Sequence, residues 1–207
     1  MIQTVLPTDP ILQVALIVPH TEAEGPGVRF AIWVQGCPLR CPGCCNPEML
    51  AVKDAQAMRA SDVIAQARAL FVDGVIEGVS FLGGEPTAQA EALAAVAAGV
   101  QQAGLSVMVF SGYTLAELRA RNDASTNALL AHTDLLVDGR YVEAERTTAR
   151  RYIGSDNQVL HFLSARYRDD DPRFAATNTL EIRMQNGAIT VNGFPIHGAL
   201  TQIGKRP

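Results

Sequence analysis

Three cysteines on one short stretch carry the clearest chemical signal in the sequence. Cys37, Cys41 and Cys44 follow the spacing C-x-x-x-C-x-x-C. Thiolates are soft ligands, and a tight loop with this spacing aims them at a single cubane 4Fe–4S cluster. A cubane has four iron corners, so a triad of ligands leaves one iron open to bind and activate a small molecule. The spacing therefore predicts a metal site built for chemistry.

Two simpler metal sites stay open as alternatives. A structural zinc site usually takes four closed ligands in two separated pairs, and only Cys45 is left to complete a set here. Adjacent side chains on an extended loop diverge, so we expect Cys45 to pack beside the cluster rather than to ligate it. An electron-transfer cluster needs a fourth cysteine at the usual distance, and no cysteine exists outside this stretch.

Further candidate groups follow later predicted strands. Gly83-Gly84-Glu85-Pro86 combines glycines, which let backbone groups approach a ligand closely, with a carboxylate that can hold an ammonium group. The hydroxyl of Ser111 can reach a ribose, and the carboxylate of Asp138 can meet a ribose, a cation or an ammonium group. Gly-Gly, Ser-Gly and Asp-Gly pairs also mark ordinary turns, so the turn interpretation stays open for each.

Alternating strands and helices position these groups. The predicted strands are Ile11 to Val18, Val28 to Gln35, Gly78 to Leu82, Ser106 to Phe110 and Asp134 to Val137. The predicted helices run from an N-cap at Ser61 to about Phe71, from Gln89 to Gln102 before Gly104, and onward from a capping box at Thr114 to Glu117. This alternation predicts parallel strands with ligand-binding loops at their carboxyl ends.

The end of the chain has a different pattern. Thr179 to Gln185 and Ala188 to Val191 predict a β-hairpin whose Asn186-Gly187 forms a type I′ turn. We expect one domain over residues 1–207, with a core at about 11–165 and a C-terminal β extension at about 175–207. The hairpin would cap one edge of the core or contact a partner.

Two sets of motifs resemble a known family. The cysteine triad with Gly83-Gly84-Glu85-Pro86 resembles the radical S-adenosylmethionine (SAM) superfamily. Glu24-Gly25-Pro26-Gly27-Val28-Arg29 and Asn46 are similar to the activating enzymes of glycyl-radical proteins, most of all those of anaerobic ribonucleotide reductases. The similarity runs with gaps from about Glu24 to Gln158. It includes Ser111-Gly112-Tyr113-Thr114, Asp134 to Gly139, and Gly154 to Gln158.

The resemblance implies a fold, two cofactors and a reaction. The fold would be α/β, a partial (β/α) barrel. Cys37, Cys41 and Cys44 would hold three irons of the cluster, and SAM would chelate the fourth. The residues expected around SAM are Gly43, Cys45, Asn46, Gly83, Gly84, Glu85, Ser111 and Asp138. An electron from flavodoxin or ferredoxin would cleave SAM to methionine and a 5′-deoxyadenosyl radical, which would abstract hydrogen from a glycine of a large partner protein.

Two other functions remain alternatives. One is a radical SAM enzyme acting on a small molecule or peptide, similar to the carboxy-deazaguanine synthases. The other is a metal-stabilised binding module without turnover. The net charge of −4 gives no electrostatic reason to bind nucleic acid or an anionic membrane. Residues Met1 to His20 lack the basic start of a signal peptide, and clustered cysteines fit a reducing compartment, so we expect the cytoplasm.

The remaining chemistry-bearing residues receive simpler interpretations. His20, His132, His161 and His197 are scattered and are expected to be structural or surface groups. Trp33 is expected to lie in the core or in a wall that keeps water from the cluster. Arg29 and Arg40 are expected either to be solvated or to balance the negative charge of the cluster.

Overall fold

A seven-stranded sheet organises the computed structural model, which describes residues 9–52, 56–185 and 188–194. The strand order is β3-β1-β2-β4-β5-β6-β7. In chain order the strands are β1 (Ile11–Thr21), β2 (Arg29–Val34), β3 (Gln56–Arg59), β4 (Gly78–Gly83), β5 (Ser106–Phe110), β6 (Leu135–Asp138) and β7 (Val159–Phe162). The four central strands β2, β4, β5 and β6 are parallel, whereas β1, β3 and β7 run antiparallel to their neighbours.

Helices cover one face of the sheet and create the main core. They are α1 (Ala60–Val72), α2 (Ala90–Gln102), α3 (Leu115–Arg121) and α4 (Ala124–Ala131), whereas Phe174 of the short α5 (Pro172–Ala175) packs on the opposite face. Leu93 and Val96 of the alanine-rich α2 are fully buried against Phe81 and Val107 of the sheet. Burying such side chains contributes about 1.5–3 kcal/mol each, and it fixes the helix on the strands that carry the candidate site.

The chain beyond β6 covers part of the opposite face. Tyr152 and Tyr167 pack there against Met108 of β5 and Leu135 of β6. Parallel strands that are covered on both faces read as continuous apolar runs, which explains why β4, β5 and β6 could be recognised in the sequence. None of the helices in the described part of the chain combines the length and hydropathy that a membrane crossing needs.

A separate hairpin of β8 (Leu180–Gln185) and β9 (Ala188–Gly193) confirms the predicted C-terminal β structure. Its backbone and side chains bond to the segment that joins β1 to β2. The Glu22 amide donates to Glu181 Oε1 over 2.7 Å, and the Gly193 amide donates to Glu24 Oε1 over 2.7 Å. The predicted type I′ turn at Asn186-Gly187 lies outside the described residues.

The α/β class with central parallel strands, the helix ending before Gly104 and the capping box at Thr114 are confirmed. The predicted N-cap at Ser61 is wrong, because α1 begins at Ala60. Asp9, which is distant in sequence, instead accepts from the Ser61 amide over 3.0 Å and from its hydroxyl over 2.6 Å.

Candidate metal and cofactor site

The cysteine loop leaves the carboxyl end of β2 and is closed at its base by the backbone. Gly36 donates to the Met49 carbonyl over 2.9 Å, and Cys37 donates to the Leu50 carbonyl over 3.0 Å. Between these points the chain turns sharply through positive φ angles at Gly36, Arg40 and Gly43. The sequence thus forms a compact loop whose two ends are fixed next to each other.

The thiols of the triad lie near one another and are partly buried. Burial raises the pKa of Cys41, and the neighbouring Cys37 and Cys44 raise it further. The Tyr141 amide donates to the Cys41 sulfur, which favours the thiolate. Across the described ranges, no three His, Cys, Asp or Glu side chains converge on one point as a single metal ion requires. A cubane spreads its cysteine ligands over different irons, whereas a zinc ion takes all of its ligands at one point.

The loop around Cys45 differs in conformation from the expectation. It is exposed, and its thiol bonds to the adjacent Cys44 because the loop bends at this point instead of running extended. That bond, helped by the Asn46 amide, lowers the pKa of Cys44 to about 6, whereas it raises the pKa of Cys45. The loop is therefore not extended at this point, contrary to the prediction, and Cys45 lies beside the triad.

The cysteine loop packs on the segments that follow β5 and β6. A methyl group in place of the Gly43 hydrogen would lie 2.7 Å from the Glu143 carboxyl carbon. A methyl group at Gly112 would overlap the Leu39 side chain. These contacts place the thiols over the carboxyl ends of the parallel strands, which is where α/β sheets bind ligands.

Gly83 and Gly84 bring the end of β4 against the end of β2. The Gly84 amide donates to the Val34 carbonyl and the Glu85 amide to the Gly36 carbonyl, each over 2.8 Å. A methyl group at Gly83 would lie 2.6 Å from the Val34 nitrogen, and one at Gly84 would overlap the Gly36 carbonyl. Only glycines allow the two strand ends to approach this closely.

Glu85 joins the ends of β4 and β5. Its buried carboxylate accepts at Oε1 from the Thr87 amide over 2.9 Å, the Thr87 hydroxyl over 2.6 Å and the Ser111 hydroxyl over 2.9 Å. Its Oε2 accepts from the Gly112 amide over 2.8 Å. Two candidate site residues that are distant in sequence, Glu85 and Ser111, are thus in direct contact.

Asp138 continues the same edge at the end of β6. The Ser111 amide donates to the Val137 carbonyl over 2.8 Å, so Ser111 and Asp138 occupy neighbouring strand ends. Asp138 Oδ2 accepts from the Leu115 amide over 2.5 Å and lies 2.8 Å from His161 Nε2. The sequence interpretation of His161 as a structural or surface group missed this contact, because β7 was not predicted.

The other residues named in the sequence analysis have different outcomes. Trp33 is 5% exposed and packs against Met49 and Leu82, which fits both the core and a wall beside the loop. Arg40 is exposed. Arg29 is neither solvated nor near the cysteines, because its guanidinium is buried at the amino ends of β4 and β5, where Nη2 donates to the Val79 carbonyl over 2.5 Å. His197 lies outside the described residues.

An open cavity of about 700 Å³ lies away from the cysteines, beside the start of α2. Gln13, Thr87, Arg121 and Thr126 are among its lining residues. Of the groups predicted around the cofactor, none lines this cavity.

Comparison with known proteins gives concordant results. Residues 23–161 match the family model described as a 4Fe-4S single cluster domain. The chain is 33% identical over 152 residues to the anaerobic ribonucleoside-triphosphate reductase-activating protein of Vibrio cholerae, covering 69% of this chain and 93% of that protein. For the protein of the same name from Escherichia coli K12, identity is 29% over 148 residues, covering 68% and 92%. The pyruvate formate-lyase-activating enzyme of Streptococcus mutans is 37% identical over 86 residues, covering 40% of this chain and 32% of that enzyme.

Proposed function

The chain belongs to the iron–sulfur, radical SAM family of enzymes that activate glycyl-radical enzymes, and from this premise we propose that it generates a glycyl radical on a partner protein. The observation that carries the proposal is the seating of the cysteine triad over the joined carboxyl ends of β2, β4, β5 and β6. A bound cluster and SAM would supply one-electron reductive cleavage of SAM to methionine and a 5′-deoxyadenosyl radical, which would abstract hydrogen from the partner.

We propose Cys37, Cys41 and Cys44 as the ligands of a 4Fe–4S cluster whose fourth iron SAM occupies. Their partial burial and mutual proximity support this assignment. Backbone amides of Tyr141 and Asn46 donate to the sulfurs of Cys41 and Cys44, which favours the thiolate form that binds iron. Cys45 is assigned no iron, because it lies outside the C-x-x-x-C-x-x-C spacing and is exposed.

The residues proposed to surround SAM form one edge of the sheet. They are Gly43, Cys45, Asn46, Gly83, Gly84, Glu85, Ser111 and Asp138. Glu85 has four hydrogen bonds from the chain itself, so it is assigned to hold the ends of β4 and β5 together at the cofactor. Trp33, Met49 and Leu82 form an apolar wall that keeps water from the reacting atoms.

We further propose that residues 1–207 form one domain whose sheet is a partial (β/α) barrel of the radical SAM type. Four adjacent parallel strands with the candidate ligands at their carboxyl ends support this architecture. The names of the relatives favour an anaerobic ribonucleotide reductase as the partner, and flavodoxin or ferredoxin is the proposed electron donor.

Anaerobic reconstitution with iron and sulfide tests the proposal. We expect about four irons per chain in the wild type, loss of the cluster in Cys37→Ser, Cys41→Ser and Cys44→Ser, and retention in the matched control Cys45→Ser. After reduction with SAM present, 5′-deoxyadenosine should form, and a ribonucleotide reductase partner should acquire a glycyl signal in electron paramagnetic resonance. Bound zinc without 5′-deoxyadenosine would contradict the proposal.

A further inference from the structure

We propose that His161 is a positioning residue that holds the Asp138 carboxylate in the orientation that SAM requires. The inference rests on the proposed function, because it takes Asp138 as a residue that contacts SAM. The contact that carries it joins His161 Nε2 and Asp138 Oδ2 over 2.8 Å. Neither the family model nor the names of the relatives assign a role to this histidine.

The strand register brings the two side chains to the same face of the sheet. In the antiparallel pair of β6 and β7, Leu136 lies opposite His161 and Asp138 lies opposite Val159. Leu136 and Asp138 are two residues apart in β6 and so share a face, which makes His161 the diagonal neighbour of Asp138. The contact is therefore built into the pairing of the strands.

The hydrogen bonds at the Asp138 carboxylate give each of its oxygens a definite role. An ionised carboxylate only accepts, so Nε2 of His161 is the donor. The Leu115 amide donates to the same oxygen, Oδ2, over 2.5 Å. Two fixed donors on one oxygen orient the carboxylate plane. In the described part of the chain no hydrogen bond reaches Oδ1, which leaves this oxygen for a hydroxyl or ammonium group of the ligand.

Bonds at both ends of β7 fix the position of His161. Before β7, Gln158 Nε2 donates to the Gly139 carbonyl over 2.8 Å, directly after Asp138. After β7, the Leu163 amide donates to the Asp134 carbonyl over 2.8 Å. The His161 side chain is 28% exposed and that of Asp138 only 6%, so the donor lies on the outer side of the carboxylate.

Asp138 lies at the point where this contact affects the cofactor site. The chain just beyond it supplies Tyr141, whose amide donates to the Cys41 sulfur, and Glu143, which touches Gly43. The neighbouring strand end carries Ser111. Without the histidine donor, the Asp138 carboxylate could rotate and present a different oxygen to SAM. Loss of this donor should therefore weaken the binding of SAM.

The test compares equilibrium binding of SAM to anaerobically reconstituted proteins by calorimetry. His161→Leu removes the donor and should raise the Kd about tenfold, the usual effect of losing one bond to a charged group. His161→Gln keeps an N–H donor and should stay within about threefold of the wild type. His132→Gln is the matched control, because His132 bonds to the neutral amide of Gln101.

A double-mutant cycle separates positioning from a merely structural effect. Asp138→Asn should weaken SAM binding, and adding His161→Leu to it should cause no further loss, because the histidine acts through the carboxylate. Iron content and circular dichroism should match the wild type in every variant. Should His161→Leu lose its fold, His161→Asn, whose shorter amide falls short of Oδ2, takes its place in the cycle.

Several outcomes would overturn the inference. Wild-type affinity in His161→Leu would do so, as would additive losses in the double variant. Wild-type protein that fails to bind SAM would overturn both this inference and the proposed function. Wild-type protein that binds SAM but forms no 5′-deoxyadenosine after reduction would overturn the proposed function alone, because the His161 effect is measured on binding.

Discussion

Two glycines with nearly the same backbone angle show what one side chain would change at the candidate site. Gly43 has a φ of +71° and Gly74, at the end of α1, a φ of +72°. A methyl group at Gly43 would press on the Glu143 carboxylate, whereas one at Gly74 would meet nothing within 4 Å. The backbone requirement is shared, and only the contact with Glu143 differs.

This pair supports a prediction for Gly43→Ala. Both Gly43→Ala and the control Gly74→Ala should lose about 1–2 kcal/mol of stability, because alanine is disfavoured at positive φ. Only Gly43→Ala should also lose iron after reconstitution, because the added methyl displaces Glu143 and the loop that holds the thiols. Iron per chain and denaturant unfolding measure the two effects. Equal iron content in both variants would contradict the prediction.

At the scale of single residues, the chemically important side chains could be predicted from the sequence, but the groups that they contact could not. The triad, Glu85, Ser111 and Asp138 stand out by chemistry and position, and the structure brings them to one edge. Arg29 belongs to a motif near the cysteines in sequence. However, it begins β2, whereas the cysteines follow the end of β2, so its side chain lies at the opposite end of the sheet. Sequence proximity says little about contact when a strand lies between two residues.

At the scale of elements, the parallel strands were predictable because each is a short apolar run. β3, with the sequence Gln56-Ala57-Met58-Arg59, has no such run, and its pairing with β1 comes from tertiary context. β7 is short and interrupted by His161, so its pattern is equally weak. Antiparallel edge strands of this kind depend on their neighbours more than on their own composition.

The link between the ends of β4 and β5 predicts the effect of Glu85→Gln. A glutamine places an amide donor where Oε1 or Oε2 now accepts, so at least one buried donor among the Thr87, Ser111 and Gly112 groups loses its partner. Stability should fall by about 1–3 kcal/mol. Denaturant unfolding should show no comparable loss in the control Glu91→Gln, which changes an exposed glutamate on α2. Equal stability of the two variants would argue against the link.

At the scale of the molecule, the C-terminal hairpin is an addition to the matched segment. The family model ends at residue 161, whereas β8 and β9 lie at Leu180–Gln185 and Ala188–Gly193. Glu24, between β1 and β2, is buried and accepts from the Gly193 amide. Burial raises the pKa of Glu24 to about 7 from an ordinary value of 4.5. Protonation of the Glu24 carboxyl is thus coupled to the packing of the hairpin on the segment between β1 and β2.

The sign of this coupling gives a pH prediction. A carboxyl with a raised pKa in the folded state binds its proton more tightly when folded, so wild-type stability should fall as pH rises from about 4.5 to about 7. Glu24→Gln removes this dependence and should gain about 2–3 kcal/mol relative to the wild type between pH 5 and pH 8. Glu22→Gln, at an exposed position, is the control. A constant difference between Glu24→Gln and the wild type across this range would contradict the prediction.

The contact between Gly43 and Glu143 also has a consequence for the nascent protein. The two residues are separated by one hundred positions, so the cysteines leave the ribosome long before the segment that supports them. At about 5–20 residues per second, the delay is about 5–20 s. The contact that supports the cysteine loop can therefore form only after Glu143 has been translated, and the loop is without it during that interval.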